Sequence, residues 1–568
     1  MKKLPALQLC WPPNRAFFLM ALTGMIILTR IVIASLMPSG DAFLRESSAN
    51  IIITFLIFVW ALPWLVWKLV HGESFPRSGF EVPILILLTA AGATLFYTVD
   101  FSLTLRAVLV LLAQVVFFYI LLDVLRTTSR TQKFLFLLFG FAFLIAAFGI
   151  KDFFFSSGQY PFAASPRRVM SFMGWPNLLA GYLHLFLPLA LVLPLWLKGK
   201  TEKIWAWIAL VIMGSCFLFT FSILAWVSLG LVAGLVVIFS QRLGLTDELM
   251  KKRRLVAVGA VVFVVLLILI LLARELAAAF WVRVAFLKTA LAVLADKPIL
   301  GQGWGAFAVA SRKFTQTSSA LTAYVHNAYL QAWVEAGLAG LAGLLLLAVV
   351  FFRRVWQVMP TILRVENGLL RLAVIVGLAT FFVDNLFGFS LVRPVLALHF
   401  WVMLAIFVAL TRSQSKGPGT RLVSGIGILI VAACLFLTIR MTVAAVIYRQ
   451  GFDLKRPSTF DKAEACFIRA SAWDPWSPIL PAAAGEINIK AFLLSGQKSY
   501  LRVAEGEYLD AIKRSPRSYP DYLILGWLYH TLGDMDRSET YTAEAAALSP
   551  AEFETDVGFI KDSLSQHQ

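Results

Sequence analysis

Apolar runs of bilayer-spanning length recur along this chain and leave it few ways to fold. They fall at 16–37, 49–70, 82–98, 103–122, 134–155, 178–197, 203–220, 222–240, 255–273, 328–352, 368–388, 394–411 and 422–439. A helix needs about 20 apolar residues to cross a hydrocarbon layer of about 30 Å. Lipid offers the backbone no hydrogen-bond partners, so each run must satisfy its own polar groups as an α-helix. The expectation is an all-α, polytopic membrane protein with about 12–13 transmembrane helices. Residues 203–240 are divided only by a polar spot at Thr220 and Ser222, so they read equally as a hairpin or as one kinked element. Of the 568 residues, 60% are hydrophobic and only 14% are charged, with a mean hydropathy of +0.80. These values exclude an ordinary soluble globular chain.

Lys and Arg concentrate in cytoplasmic loops, so the basic residues set an expected orientation. With the N-terminus in the cytoplasm, alternate loops carry Arg126, Arg130 and Lys133, then Lys198, Lys200 and Lys203, then Arg242, Lys251, Lys252, Arg253 and Arg254. Arg353, Arg354 and Arg364 follow, then Arg412, Lys416 and Arg421, while the opposite short loops are nearly free of basic residues. This places 156–177, 274–327 and the C-terminal region on the outer face. The first run, behind Met1-Lys2-Lys3, lacks a small-residue cleavage site and reads as a retained span rather than a removed signal peptide. The net charge of +18 then reports cytoplasmic loops, and no nucleic-acid partner is expected. Cys10, Cys216, Cys434 and Cys466 are scattered without metal-ligand spacing, so neither a disulfide framework nor a zinc site is expected.

Two outer segments depart from the charge rule. They hold Arg167, Arg168, Arg274, Arg283, Lys288, Lys297, Arg312 and Lys313. An anionic ligand on that face would offset the cost, and pairing with anionic lipid headgroups is the plainer alternative.

After Ile439 the composition changes to charged, helix-periodic sequence punctuated by Pro475, Pro516 and Pro550, at intervals of 41 and 34 residues. Reading back from each Pro gives Ala463/Phe467/Ala470, then Ala504/Tyr508/Ala511, then Ala545. Small residues in that frame let paired helices approach closely. The pattern resembles tetratricopeptide repeats, whose period is about 34 residues. The expected division is a transmembrane domain over 1–440 and a helical-repeat domain over 441–568. Asp534-Met535-Asp536 has the form of a metal-binding DxD, but its place in the repeat makes it a turn and a helix start.

The sharpest polar feature is Tyr324-Val325-His326-Asn327-Ala328-Tyr329-Leu330-Gln331-Ala332-Trp333-Val334-Glu335-Ala336-Gly337, at the start of a span. Ionisable groups are costly in hydrocarbon and usually face a bundle interior or a cavity. A helix cap with interhelical hydrogen bonds would account for the same residues. Upstream lie Arg168-Val169-Met170-Ser171-Phe172-Met173-Gly174-Trp175-Pro176-Asn177, where Pro176 punctuates and Asn177 is placed to cap a helix. Further along, Phe280 to Leu291 reads as an interfacial helix interrupted by Arg283 and Lys288. Asp296-Lys297-Pro298-Ile299-Leu300-Gly301-Gln302-Gly303-Trp304-Gly305 then forms a glycine-rich turn, with no strand–helix unit around it to make a dinucleotide site. Asp384-Asn385-Leu386-Phe387-Gly388-Phe389-Ser390 closes a later span at the outer face, and a capped, paired helix end would explain it equally well.

In order, these segments resemble the O-antigen ligase family over roughly residues 160–400. The matching elements are an Arg-x-x-Gly-x-Phe-x-x-Pro-Asn-x-x-Ala-x-Tyr segment with Ser171 where Gly is common, Arg283 before the glycine-rich turn, and a His-Asn…Glu-x-Gly segment. The family's Thr-x-Ser-Arg-Gly-Ala segment is represented by Thr220-Phe221-Ser222-Ile223-Leu224-Ala225, with Ile223 in place of Arg. The resemblance implies a GT-C-like membrane glycosyltransferase of the bacterial cytoplasmic membrane. It would move a glycan from undecaprenyl diphosphate to an acceptor hydroxyl on the outer face, with inversion and without metal or cofactor. It also implies His326 as catalytic residue, Arg168 and Arg283 as ligands of the donor diphosphate, and Asn177, Asn327, Glu335 and Asp384 in support. The acceptor would be a lipid, a growing glycan or a protein, and the repeats would dock that acceptor or an envelope-assembly partner. O-antigen or exopolysaccharide polymerases and protein O-oligosaccharyltransferases share the pattern. A non-enzymatic transporter with a scaffold domain is the alternative of another class; neither internal repeats nor broken helices, which mark many transporters, are visible in the sequence.

Overall fold

A computed structural model of the protein describes residues 42–155, 168–238, 274–317, 321–411, 421–454 and 456–556. The expected spans at 16–37 and 255–273, most of the outer segment before Arg168, and Cys10 lie outside these residues. The first helices are α1 (Ala42–His71), α2 (Glu81–Ala93), α3 (Phe101–Val124) and α4 (Thr128–Phe155). Then come α5 (Pro176–His184), α6 (Leu187–Trp196), α7 (Lys200–Phe219), α8 (Ile223–Ile238) and α9 (Arg274–Asp296). The remaining apolar helices are α10 (Ala328–Val358), α11 (Gly368–Asp384), α12 (Pro394–Thr411) and α13 (Arg421–Asp453). No β-sheet forms among the described residues.

Eight stretches are long and apolar enough to cross a membrane: Ala49–His71, Phe101–Val124, Thr128–Phe155, Pro176–Trp196, Lys200–Phe219, Ala328–Arg364, Pro394–Thr411 and Arg421–Asp453. The protein is thus an all-α, multi-pass membrane protein. The expected spans at 82–98, 222–240 and 368–388 form the shorter helices α2, α8 and α11. A turn at Thr220 to Ser222, with Phe221 at φ 47°, separates α7 from α8.

Two spans are broken, which the sequence reading did not anticipate. The stretch Pro176–Trp196 divides between α5 and α6, where Pro188 near the start of α6 has no N–H to continue a ladder. Helix α10 is interrupted at Ala336 (φ −119°, ψ 18°) and Gly337 (φ 64°, ψ −162°). A Cβ on Gly337 would lie 1.9 Å from the Ile299 carbonyl oxygen, so only glycine fits there. The glycine-rich turn occupies that break. Gln302 N–H donates to Val334 O at 2.9 Å, Gly303 N–H to Glu335 O at 2.9 Å, and Leu338 N–H to Ile299 O at 3.1 Å. The backbone groups freed by the break are thereby satisfied, as they must be at membrane depth.

The helices connect two faces. On one, buried Lys68 pairs with Asp123 at 3.2 Å, Arg126 pairs with Glu73 at 3.1 Å, and Arg354 Nη1 donates to Ser78 O at 2.8 Å. The other carries the start of α3, the Thr220 turn, His326 and the end of α11.

Helix α13 packs on α1 and continues without interruption into the C-terminal region. There α14 (Phe460–Trp473), α15 (Ile479–Ser495), α16 (Ser499–Arg514), α17 (Tyr519–Leu532) and α18 (Met535–Leu548) follow, each against the next. Ala463, Phe467, Ala470, Ala504, Tyr508, Ala511 and Ala545 are all buried between them. Asp534 caps α18 by accepting from Arg537 N–H at 3.1 Å, so the DxD is a helix start. This stack sits on the His326 face. Ser515 Oγ donates to Asp100 Oδ2 at 2.6 Å, Arg312 pairs with Glu552 at 3.7 Å, and Arg106 pairs with buried Asp474.

Candidate active site

The first wall of the site is the segment leading into α5. Val169 N–H donates to Phe219 O at 2.9 Å, which lays this segment along the end of α7. Arg168 then donates from Nε to Thr220 O at 2.7 Å and from Nη2 to Asn177 Oδ1 at 2.7 Å. Two bonds from one edge of the fork, Nε and Nη2, fix the guanidinium plane. Asn177 does not cap α5, contrary to its expected role. The cap position belongs to Trp175 and Pro176 opens the helix, where its missing N–H costs nothing, so the Asn177 amide is left to hold Arg168. Ser171, where the related family commonly has Gly, has φ 51°, the left-handed region glycine favours, and its hydroxyl donates to Ile145 O at 2.8 Å.

The second wall is α9. Arg283, Phe286, Ala290 and Val293 recur at helical spacing and form one stripe. Ala290 and Val293 are buried in a small core with Phe307, Val325 and Val334, which turns Arg283 and Phe286 inward. Trp281, Leu287 and Leu291 are exposed on the other side. Lys288 is exposed as well.

The third wall is the start of α10. Asn327 is its N-cap, accepting from Tyr329 N–H at 3.0 Å and Leu330 N–H at 2.9 Å. His326, immediately before it, has φ 60°. A left-handed non-glycine residue costs about 1–3 kcal/mol and persists only where its surroundings hold it. Here Val325 N–H donates to Gln331 Oε1 at 3.1 Å on one side, and Ala328 N–H donates to Asn385 O at 3.0 Å on the other. The imidazole stacks on Phe286 with centroids 5.0 Å apart and makes a T-shaped contact with Phe389, centroids 4.6 Å apart.

The charges of the three walls act on one another. Burial and the Arg283 charge lower the pKa of His326 to about 4, so the imidazole is neutral at physiological pH. Burial and the same Arg283 charge also lower the pKa of Arg168. Burial lowers Arg283 too, and the Asp384 carboxylate partly offsets this. Arg168, Arg283, Asp384 and His326 therefore form one electrostatic cluster, with Arg283 at its centre.

Glu335 lies beneath the cluster rather than against the imidazole. Its Oε2 accepts from Gly305 N–H at 2.8 Å and its Oε1 from Gln331 Nε2 at 2.9 Å. Since Gln331 also accepts from Val325 N–H, the carboxylate ties the glycine-rich turn to the segment that carries His326. Asp384 ends α11, accepts from Ser390 Oγ at 3.3 Å and lies 3.9 Å from His184 Nδ1. His184 Nε2 lies 2.9 Å from Ala225 O and so carries the ring proton, leaving Nδ1 toward Asp384.

Sequence reading gave no role to Phe286, Phe389, Gln331, His184 or the Thr220 carbonyl. Phe286 was accessible from its spacing of three after Arg283, and His184 from being ionisable within a span. The carbonyl carried no signal in residue type. Among the described residues, no group of three His, Cys, Asp or Glu side chains is placed to hold a metal.

Fold and site together define a multi-pass, all-α membrane protein with two arginines and a histidine clustered on one face. Residues 208–345 match the family model described as O-antigen ligase. That stretch contains Arg283, the glycine-rich turn, His326 and Glu335, whereas Arg168, Asn177, Asp384 and the C-terminal helices lie outside it. No curated protein matches the chain.

Proposed function

We propose that the protein is a glycosyltransferase of the O-antigen ligase and polymerase type, using a polyprenyl-diphosphate-linked glycan at the outer face of the bacterial cytoplasmic membrane. The observation that carries this reading is the convergence of Arg168 and Arg283 beside a neutral His326. Burial and the Arg283 charge lower the pKa of Arg168, so the two guanidiniums are close enough to share one anion, and a diphosphate is such an anion. Guanidinium forks match phosphate oxygens and stay charged. Arg168 is held by Asn177 and Thr220, so it meets the ligand already oriented.

The acceptor hydroxyl oxygen attacks the anomeric carbon of the donor sugar as the carbon–oxygen bond to the diphosphate breaks. Polyprenyl diphosphate leaves with that electron pair, and the two arginines stabilise the charge that develops on it. His326 takes the proton of the hydroxyl as the new glycosidic bond forms. Attack opposite the leaving group inverts the anomeric centre. Asn327 and Glu335 hold the His326 segment, and Asp384 moderates Arg283.

The match over 208–345 supports the family-level reading. Undecaprenyl diphosphate as the lipid, the inverting course, the outer-face orientation and the residue roles belong to this proposal. So does the assignment of α14 to α18 as tetratricopeptide repeats, which the burial of their small and aromatic positions supports. The acceptor is a lipid, a growing glycan or a protein. The broken spans favour one competing reading, a lipid-linked-glycan transporter. Purified protein in nanodiscs with undecaprenyl-diphosphate glycan separates the two: a transferase releases undecaprenyl diphosphate as glycan moves to the acceptor. A transporter leaves the lipid-linked glycan intact.

A further inference from the structure

A cavity of about 530 Å³ lies between the C-terminal helices and the membrane domain. We infer that this cavity holds the glycan chain of the acceptor and leads it toward His326. The inference rests on the transferase reading above and adds to it where the acceptor lies and what chemistry recognises it.

Three observations point to a neutral, polyhydroxylated ligand. The volume is within the range of about 300–1,000 Å³ that small-ligand sites occupy. Charges in the lining balance: Arg106, Arg312 and Arg517 face Asp100, Asp474 and Glu552. Arg106 pairs with Asp474, Arg312 with Glu552 at 3.7 Å, and Asp100 accepts from Ser515. Such a lining has no surplus cation for a diphosphate or an anionic headgroup. The rest mixes apolar surface from α13, including Ala445 and Tyr448, with hydroxyls from Ser102, Thr322 and Ser477. Sugars present both C–H faces and hydroxyls to such a wall.

A second cavity adjoins it on the side of the His326 segment. Arg106, Ala308 and Ala323 line both it and a smaller cavity of about 140 Å³, which extends inward to Tyr324 and Glu335. Tyr324 stacks on Phe389 at 4.8 Å, and Phe389 makes a T-shaped contact with His326. The donor arginines therefore approach His326 from α5 and α9, and the acceptor route comes from the side of α3 and α13.

The test uses the full chain in nanodiscs and, as probe, lipid-free oligosaccharides released by mild acid from the source cell's envelope polysaccharide and fluorescently end-labelled. Fluorescence anisotropy should show saturable binding without donor. Ala445→Trp fills the cavity and Ala323→Phe narrows its neck, and each should weaken binding roughly tenfold, the scale of overpacking a fitted site. Arg283→Ala should bind the probe as wild type does. Melting temperature and donor-lipid binding, measured on each variant, separate a blocked cavity from a misfolded chain. No saturable binding by wild type, or binding unchanged in both folded cavity variants, overturns the inference. If the probe binds as described but no transfer is detected, the cavity is a glycan site but not an acceptor site, and the transferase reading falls. If transfer proceeds with an acceptor KM unchanged by both variants, the cavity assignment falls and the transferase reading stands.

Discussion

The His326 ring lies against Phe286 at 5.0 Å, only 13° from parallel, so α9 forms one side of the histidine's environment. Arg283 stands one helical turn before Phe286 on the same stripe. Phe286 shields the imidazole from water and Arg283 repels its protonated form. One helix thus keeps His326 neutral by two physical means.

The pH dependence follows from this pairing. An ordinary histidine titrates near pH 6.5, but His326 is lowered to about 4. A base is active when neutral, so kcat/KM should stay flat as pH falls through 6.5 and decline only near pH 4. Arg283→Gln removes the repulsion and should move that acid limb upward. Bound diphosphate favours the imidazolium, so the limb in kcat should lie at higher pH than the limb in kcat/KM. Both profiles come from initial rates of lipid-diphosphate release across pH.

Phe286→Ala should lower the rate without unfolding the protein. Stacked aromatic pairs contribute about 0.5–1.5 kcal/mol beyond area burial, so a loss of roughly 2- to 10-fold in kcat is expected. The acid limb should also rise as water reaches the ring, whereas Phe286→Leu, which keeps the burial, should shift it less.

Asn177→Ala should weaken donor binding rather than the chemical step. A hydrogen bond to a charged group contributes about 1.5–3 kcal/mol, so the donor KM should rise roughly tenfold or more with kcat largely kept. Arg168→Lys should fare worse, because a lysine lacks the fork that reaches Thr220 O and Asn177 Oδ1 together. Equilibrium binding of undecaprenyl diphosphate to each variant checks both.

Gly337→Ala should be among the most destabilising single changes. Its Cβ would collide with Ile299 O, and its φ is positive, so the turn could no longer enter the break in α10. A cost of about 3 kcal/mol or more is expected. Gly425→Ala, on α13 with open space around it, is the control and should melt as wild type does.

The spans were legible because a helix crossing lipid must be apolar along its whole length, and the runs at 49–70, 103–122 and 394–411 match the membrane-length stretches Ala49–His71, Phe101–Val124 and Pro394–Thr411 closely. The C-terminal helices were legible from the Pro intervals and the Ala/Phe/Ala frame. Less accessible was whatever depends on a remote partner. Glu335-Ala336-Gly337 reads as continuous helix until the turn at 299–305 enters it. Asn177 reads as a cap until Arg168 is placed beside it. The left-handed backbone of His326 had no cue in residue type, since glycine or asparagine would ordinarily mark such a position. Arg168, Arg283 and His326 could be named from motif order, but their mutual electrostatic effect required the packing of α9.

The most direct test of the central claim compares wild type, His326→Ala and His326→Gln at saturating undecaprenyl-diphosphate glycan, measuring glycan transfer and donor binding on the same preparations. If His326 takes the acceptor proton, both variants lose transfer while Arg168 and Arg283 still bind the donor at wild-type affinity. Wild-type transfer by both variants would contradict this and remove His326 from the site.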